Sequence, residues 1–431
     1  MNPLAPLLPV AIALLCAACQ ATPDRAVTAE AIGLQTDRAF ERLVALRRDL
    51  HAHPELAGQE ARTSATVAAR LRALGLEVQT GLHGHSVVAV LRGAQAGKTV
   101  AWRSDLDALP GDFRDPMPFR SQKPGVHHAC GHDIHITVAL GIAEVLVRHR
   151  GQLHGNVVFI FQPEEESFQG AKAMLDAGLF TSFPVDEIYG LHVTDLPAGQ
   201  IAVRPGEMFA YKRRLRIALK EGLADADLDQ LAQRVQGALT RTRPLAKPWE
   251  LHRVTDPDVG VTSAATAFQD FLFMDKPVAT RAGQGTVHLE ADLYETSAAQ
   301  LATILPRVTQ AVQASGHEAR LLGVSFTEQP VTVLNDEALT RAAVQAIQQA
   351  FGASAVQPLH GQAPYFNDDF AYFQQRVPGV YFFLGGSNAG KGLHAMNHAP
   401  DFAVDEDSIR TGVKTFATLI AARLGPAPVG R

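Results

Sequence analysis

The chain has 431 residues, with 44 acidic and 39 basic side chains and a net charge of −5. One hydrophobic core rarely serves more than about 300 residues, so two domains are expected. With 46% hydrophobic and 19% charged residues, the composition excludes a disordered or fibrous chain. The lack of a basic excess argues against charge-driven binding to nucleic acid.

The first 19 residues have the pattern of an export signal. The apolar stretch at 4–15 has the length of a signal peptide and is too short to span a bilayer. Small residues before Cys19 are similar to a bacterial lipoprotein cleavage site, although Cys16 stands where that site has leucine. We expect a signal peptide at 1–19 and a lipid on Cys19, which would anchor the protein to a membrane in the periplasm of a bacterium. Simple secretion is the alternative.

Cysteine use points to a role for Cys130. Of the three cysteines, Cys16 would be removed with the signal and Cys19 would be blocked by lipid. Cys130 would then be alone in an oxidising compartment, where it cannot form a structural disulfide. Such a thiol is expected to be buried, reactive or bound to a metal.

Apolar spacing predicts the elements of the first domain. Residues 20–35 are small and polar and are expected to form a tether, and apolar residues three and four apart predict helices within 36–76. The runs VVAVLRG, TVAWRS, VVFIF and EIYGLHV predict strands, and a helix is expected at 136–149. This alternation indicates an α/β layer with a mostly parallel sheet.

The pattern changes at about residue 207. Strands are predicted at RLRIALK, WELHRV, TVHLEADLYE and RLLGVSFTE, with helices at 226–241 and 297–314. That order is ferredoxin-like, so an α+β domain at 207–328 is expected between two parts of a catalytic domain, 36–206 and 329–425. The second part should contain a helix at 336–350, the strand VYFFLGG and a helix at 405–424, before a tail at 426–431.

Several segments collect side chains that bind metals or move protons. They are Asp105 with Asp107, the cluster of His127, His128, Cys130, His132 and Asp133 with nearby His135, the triplet Glu164, Glu165 and Glu166, then His192, and later His394 and His398. Most follow predicted strands, whose carboxyl ends meet at one edge of a parallel sheet. Burying three carboxylates there without a cation costs several kcal/mol per group. Cys, His and Glu together suit Zn²⁺ best, with Mn²⁺, Co²⁺ or Ni²⁺ as alternatives, and a metal pair is common in hydrolytic sites.

Six motifs carry a family resemblance. They are RRDLHAHPEL at 47–56, RSDLDALP at 103–110, HACGHD at 128–133, QPEEE at 162–166, GLHV at 190–193 and HAPDF at 398–402. In this order they resemble the amidohydrolase branch of the aminoacylase and carboxypeptidase superfamily, which includes hippurate hydrolases and auxin-conjugate amidohydrolases. The resemblance implies a zinc-peptidase catalytic domain with a ferredoxin-like lid or dimerisation domain. It also implies two divalent metal ions and cleavage of the amide bond of an N-acyl amino acid or small peptide.

The resemblance further implies a role for each matching residue. Glu165 corresponds to the general base, and Asp107 to a residue that orients a metal ligand. His398 is preferred to His394 because it begins the family's His-x-Pro-x-Phe segment. The better interpretation of Arg47, Arg48 and Pro54 is helix packing and a turn, and His127, His128 and His135 are expected to pack or support the ligands. The implied metal ligands are Cys130 as the bridge, His132, Glu166, His192 and His398.

The inserted domain departs from the family pattern. The family's Gly-x-x-x-His-x-x-x-x-Pro segment supplies a histidine that stabilises the oxyanion, often from a partner subunit, but residues 216–225 here read RIALKEGLAD. His252 and His288, on predicted strands, are candidate replacements, and surface positions are the equal alternative. Loss of an oxyanion donor typically costs ~10²–10³ in rate. A lipid-anchored metal-containing binding protein of low activity is therefore the alternative function, and homodimerisation stays open.

Overall fold

The structure is a computed structural model that describes residues 26–426, so the predicted signal peptide, Cys19 and most of the predicted tail lie outside the described residues. The helices are α1 (Ala29–Ala52), α2 (Ala61–Ala73), α3 (His132–Arg148), α4 (Gly170–Asp176), α5 (Leu179–Ser182), α6 (Asp225–Leu239), α7 (Ala298–Ala314), α8 (Glu337–Phe351), α9 (Ala371–Gln374) and α10 (Asp407–Arg423). The strands are β1 (Glu77–Thr80), β2 (Val87–Arg92), β3 (Gln95–Asp105), β4 (Leu109–Pro110), β5 (Val126–His127), β6 (His154–Gln162), β7 (Glu187–Pro197), β8 (Ile201–Val203), β9 (Gly206–Glu207), β10 (Tyr211–Lys220), β11 (Leu272–Met274), β12 (Val278–Gly283), β13 (Thr286–Glu295), β14 (Leu321–Glu328), β15 (Leu334–Asn335), β16 (Gln357–Pro358) and β17 (Gly379–Ser387).

Eight strands form the central sheet, in the order β1-β2-β6-β3-β7-β17-β8-β16. The middle strands β6, β3, β7 and β17 are parallel, whereas β1, β2 and β8 introduce antiparallel pairs toward the edges. The predicted α/β class with a mostly parallel sheet is confirmed. Because β3 and β6 are parallel neighbours, their last residues, Asp105 and Gln162, lie side by side. The acidic segments that follow them therefore begin at the same edge.

Both faces of this sheet are covered. Along β6, Val157, Phe159 and Phe161 join the core under α1, α2, α3 and α10, and the alternate residues Val158 and Ile160 join the core on the other face. Alternation by two is the geometry of a strand, and burial on both faces explains why VVFIF is apolar without interruption.

A second, antiparallel sheet has the order β11-β13-β10-β14, with β12 pairing to β13. Helices α6 and α7 cover one of its faces, where Leu215 and Ile217 of β10 share a core with Leu231 and Val308. This is the ferredoxin-like arrangement predicted for the insertion. The strand predicted at WELHRV is wrong, because Leu251–Arg253 forms a 3₁₀ turn and β11 takes the second position instead.

The long connection between α6 and β11, residues 240–271, packs on the large domain. The carbonyl of Val261 accepts hydrogen bonds from the amides of His360 (2.7 Å) and Gly361 (3.1 Å), and that of Phe268 accepts one from Gln362 (2.8 Å). Phe268 also lies in the hydrophobic core on the face of the central sheet that Val158 and Ile160 share. The inserted domain is therefore attached to the catalytic domain by these hydrogen bonds as well as by the two points where the chain passes between the domains.

Helix α1 begins inside the segment predicted as a tether. Its first turn is capped by Thr28, whose side chain accepts a hydrogen bond from the Ala31 amide (3.2 Å), and Ile32 and Thr36 are buried against the core. The tether prediction is therefore wrong for residues 29–35, which form the first two turns of α1. Between residues 26 and 426, the structure has no helix with the length and hydropathy needed to cross a membrane.

Candidate metal centre and active site

A glycine sets the geometry around Cys130. Gly131 precedes α3 with φ +89°, and a Cβ there would lie 2.2 Å from Val193 Cγ1 on β7. Only glycine fits so close to the neighbouring strand in that conformation. The tight turn presents Cys130 on one side and His132, the first residue of α3, on the other. The HACGHD motif thus delivers two ligand-type side chains to one point.

The five residues predicted as metal ligands lie together. The Cys130 Sγ atom is 3.3 Å from His192 Nε2 and 3.2 Å from His398 Nε2. Glu166 lies between two histidines, with its Oε2 3.5 Å from His398 Nε2 and its Oε1 3.7 Å from His132 Nε2. The structure therefore assembles these side chains from α3, β7, the loop after β6 and the loop before α10.

The cluster divides into two groups that share one thiol. Cys130, His132 and His192 have ligand atoms within 4.8 Å of one another, and so do Cys130, Glu166 and His398. His132 Nε2 and Glu166 Oε1 are buried without a hydrogen-bond partner. Buried polar atoms are rarely left unpaired, and a pair of divalent ions within these groups would satisfy both atoms. The donor set therefore fits two metal ions.

Hydrogen bonds orient the histidines toward the cluster. His132 Nδ1 lies 2.8 Å from the Asp107 carbonyl oxygen and 3.4 Å from its carboxylate, and His192 Nδ1 lies 2.8 Å from the Val193 carbonyl oxygen. Donation from Nδ1 leaves the Nε2 lone pair available for a metal. The Asp107 carboxylate also accepts a hydrogen bond from the Glu166 amide (2.9 Å). Asp107 thus contacts two of the predicted ligands, as expected of an orienting residue.

Glu165 lies beside the cluster without joining the two thiol-sharing groups. Its Oε2 is 3.7 Å from His132 Nε2, and 4% of the residue is exposed. Burial, with the negative charges of Asp368, Glu166 and Asp369, raises the pKa of Glu165 well above its usual range. A raised pKa lets a carboxyl group hold a proton more readily, which a residue that takes and returns a proton needs.

A buried ionic network beside Glu165 joins Asp105 and His135, both noted in the sequence, to Arg103 and Asp369, to which no motif assigned a role. Arg103 donates to Gln162 Oε1 (2.8 Å), Asp105 Oδ2 (2.7 Å) and Asp369 Oδ1 (3.0 Å). Asp105 also lies 2.7 Å from His135 Nδ1, and His135 accepts a hydrogen bond from the Val193 amide. The one available signal was the spacing of Arg103 and Asp105, which places both on one face of β3.

A second buried network joins the first motif of the chain to HACGHD. Arg47 Nε lies 2.8 Å from Asp133 Oδ2, and His51 bridges Asp133 and Asp115 at 2.8 Å each. Burial and Arg47 lower the pKa of His51, but Asp133 and Asp115 outweigh them, so its pKa is raised. Arg47 is therefore an ionic partner of the residue next to His132, which is more than the packing role expected from the sequence.

The candidate replacements for the lid histidine lie elsewhere. His252 is exposed on a 3₁₀ turn, so its predicted strand position is wrong. His288 is half-buried in β13 between Ala218 and Thr280 of the neighbouring strands. Neither residue lines the cavity above the metal cluster, and neither does His394.

That cavity has a volume of about 680 Å³ and opens between the two domains. Its floor contains Cys130, Glu165 and His192. The inserted domain contributes Lys212, Leu251 and Glu328 to its walls, and six further lining residues are aromatic: Phe168, Phe209, Tyr365, Phe366, Tyr372 and Phe383. The volume is that of a site for a small molecule.

Comparisons with known proteins identify the family of this chain. Residues 101–422 match the model of peptidase family M20/M25/M40. The chain is 32% identical over 394 residues to thermostable carboxypeptidase 2 of Saccharolobus solfataricus (88% of this chain, 94% of that protein). It is 30% identical to the N-acetylcysteine deacetylase of Bacillus subtilis (89% and 97%). The Bacillus subtilis YxeP structure, described as a dinuclear metal binding peptidase, superposes with a TM-score of 0.71 at 27% identity (90% and 99%). The chain therefore belongs to peptidase family M20/M25/M40 and is a metal-dependent hydrolase of carbon–nitrogen bonds.

Proposed function

We propose that this protein hydrolyses the amide bond of an N-acyl amino acid or a small peptide. The observation that carries the proposal is the pair of ligand groups sharing Cys130, with the buried carboxyl of Glu165 beside them at the floor of a cavity. The deacetylase and carboxypeptidase among its relatives support this class of substrate.

The proposed ligands are Cys130, His132 and His192 for one ion and Cys130, Glu166 and His398 for the other. We propose Zn²⁺, because thiolate, imidazole and carboxylate together suit it, with Mn²⁺, Co²⁺ and Ni²⁺ as alternatives. When bound, such ions polarise a carbonyl group and make water a better nucleophile.

Residues of the chain would supply the remaining steps. Glu165 removes a proton from the attacking water and returns it to the nitrogen of the departing amine, which balances the hydrolysis. Asp107 holds His132 through its carbonyl oxygen and the Glu166 amide through its carboxylate.

The three consecutive glutamates provide a matched test. Glu165→Gln should lower kcat by about 10²–10⁴ and keep the metal, because the side chain moves a proton and binds no ion. Glu166→Gln should lower the metal content, since Glu166 touches His132 and His398. Metal content by elemental analysis and amine release from N-acyl amino acids would both be measured.

Glu164→Gln is the control. Glu164 lies in the same loop but points toward His83, 3.4 Å away, and belongs to neither ligand group. It should keep both metal and turnover. Loss of metal in Glu165→Gln, or full turnover in that variant, would contradict the proposed role of Glu165.

We further propose that the protein is exported and lipid-anchored in a bacterial periplasm. The apolar segment at 4–15 and the small residues before Cys19 support this proposal.

A further inference from the structure

Two aromatic residues that line the cavity have a backbone conformation that is unfavourable for bulky side chains. Phe168 has φ +56° and Tyr365 has φ +66°, in the left-handed region that bulky residues seldom occupy. Both line the cavity, and they remain 36% and 39% exposed. Local backbone preference does not explain an aromatic residue at either position. Strain of this kind at a cavity wall is a reason to look for a binding role.

Tyr365 belongs to an aromatic wall built with the inserted domain. Its ring lies 4.5 Å from that of Tyr294 and 5.6 Å from that of Phe273, centroid to centroid. Phe273 and Tyr294 are buried and lie on the neighbouring strands β11 and β13. The ring of Tyr365 is therefore supported from behind while part of it stays exposed.

A second group of lining rings packs into the hydrophobic core on the central sheet. Phe209 stacks on Phe366 with centroids 6.3 Å apart and contacts Phe383 at 5.8 Å. Together with Phe168, these rings give the cavity an aromatic surface close to the metal cluster. A large apolar group of a substrate would bury against that surface, whereas a methyl group would leave most of it in contact with water.

We infer that Phe168 and Tyr365 form an apolar subsite that selects substrates carrying one bulky apolar group, such as a phenyl ring. That group is either the acyl part or the side chain of the amino acid. The inference rests on the proposed amide hydrolysis and assigns the substrate class within it. Phe168 is the principal residue, because it lines the cavity and its amide donates a hydrogen bond to the Glu165 carbonyl oxygen (2.7 Å) in the loop that carries Glu165 and Glu166.

The test compares three substrates that differ in one group at a time. N-acetyl-L-alanine has no bulky group, N-benzoyl-L-alanine has a bulky acyl group, and N-acetyl-L-phenylalanine has a bulky side chain. We expect kcat/KM of the metal-loaded protein to favour one of the two bulky substrates over N-acetyl-L-alanine by at least about tenfold. The favoured compound identifies which group the subsite receives.

Phe168→Gly and Tyr365→Gly remove each ring while giving the backbone the residue that its φ favours, so neither change should prevent folding. Each should reduce the preference for the bulky substrate by about tenfold. Leu245→Gly is the matched control, because Leu245 has φ +62° and is 93% exposed but lies outside the cavity lining. It should keep the wild-type preference. The subsite would be overturned if Phe168→Gly lowers kcat/KM equally for all three substrates, or if it leaves the preference for the bulky substrate unchanged.

Binding separates this inference from the proposed function. The same three compounds would be titrated by calorimetry into Glu165→Gln, with and without Phe168→Gly. If a bulky compound binds more tightly than N-acetyl-L-alanine and Phe168→Gly abolishes the difference, the subsite is supported. If the wild type hydrolyses none of the compounds in that case, only the proposed amide hydrolysis is contradicted. Hydrolysis of all three compounds without preference, and equal binding, would overturn the subsite and leave the proposed function standing.

Discussion

Arg47 and Arg48 are neighbours in α1, yet their surroundings give them different roles. The side chain of Arg47 is fully buried and paired with Asp133, whereas that of Arg48 is 49% exposed and pairs with Glu406 at the surface. The sequence identified Cys130, His132 and Glu166 because each stands in a dense motif. It did not identify the Arg47–Asp133 pair, because 86 residues separate the two and only the packing of α1 against α3 brings them together.

Arg47→Ala should therefore destabilise the protein much more than Arg48→Ala. Removing Arg47 leaves the buried Asp133 carboxylate without its guanidinium partner, which costs about 3–5 kcal/mol. Removing Arg48 breaks a partly exposed ion pair, which is worth about 0–1 kcal/mol. Urea unfolding of both variants measures the difference, and equal losses in the two would contradict the assignment of the buried pair.

At the scale of elements, the sequence predicted what local patterns determine. Continuous apolar runs marked β6 and β7, and periodic apolar residues marked α6 and α7. The segment WELHRV was predicted as a strand, but Leu251–Arg253 forms a 3₁₀ turn and the three-residue strand Leu272–Met274 pairs with β13. A strand of three residues has no periodicity to detect, and its pairing is decided by contacts distant in sequence.

Glu187 lies at the end of β7 that is farther from the metal cluster, where it forms ion pairs with other elements. Its carboxylate accepts hydrogen bonds from Arg423 of α10 at 2.8 and 2.7 Å and from Lys98 of β3 at 3.1 Å. Burial raises the pKa of Glu187, but Arg423 and Lys98 outweigh it, so the pKa is lowered. A lowered pKa adds stability above the ordinary glutamate value of about 4.3, and this stability is lost as the pH falls through the lowered value.

Glu187→Gln should therefore reduce the free energy of unfolding at pH 7 by ~2 kcal/mol, the usual contribution of hydrogen bonds to a charged group. The difference from the wild type should shrink as the pH falls below the ordinary glutamate value of about 4.3, because the stability linked to the lowered pKa is lost there. Chemical unfolding at pH 7 and at lower pH checks this expectation. A difference that is independent of pH would contradict it.

At the scale of the whole molecule, the cavity depends on both domains. Residues 240–271 hold the inserted domain on the catalytic sheet, and Leu251 of that segment reaches the cavity wall. The two-domain plan could be predicted from the change in pattern near residue 207. The docking of 240–271 could not, because it depends on backbone hydrogen bonds to 360–362 that no motif encodes.

The proposed export of the molecule has its own test. In a bacterial host, the protein should incorporate labelled fatty acid and sediment with membranes, because Cys19 would carry the lipid. Cys19→Ala should lose both properties, whereas Cys130→Ala, which changes the metal cluster, should keep the label. Equal labelling of Cys19→Ala and the wild type would contradict lipidation at Cys19.

The proposed site requires the thiolate of Cys130 to bind two metal ions. Anomalous diffraction from crystals of the metal-loaded protein locates the ions directly. We expect two peaks ~3.5–4 Å apart, both beside Cys130 Sγ, one toward His132 and His192 and the other toward Glu166 and His398. A single peak in fully loaded protein, or two peaks of which neither contacts Cys130, would contradict it.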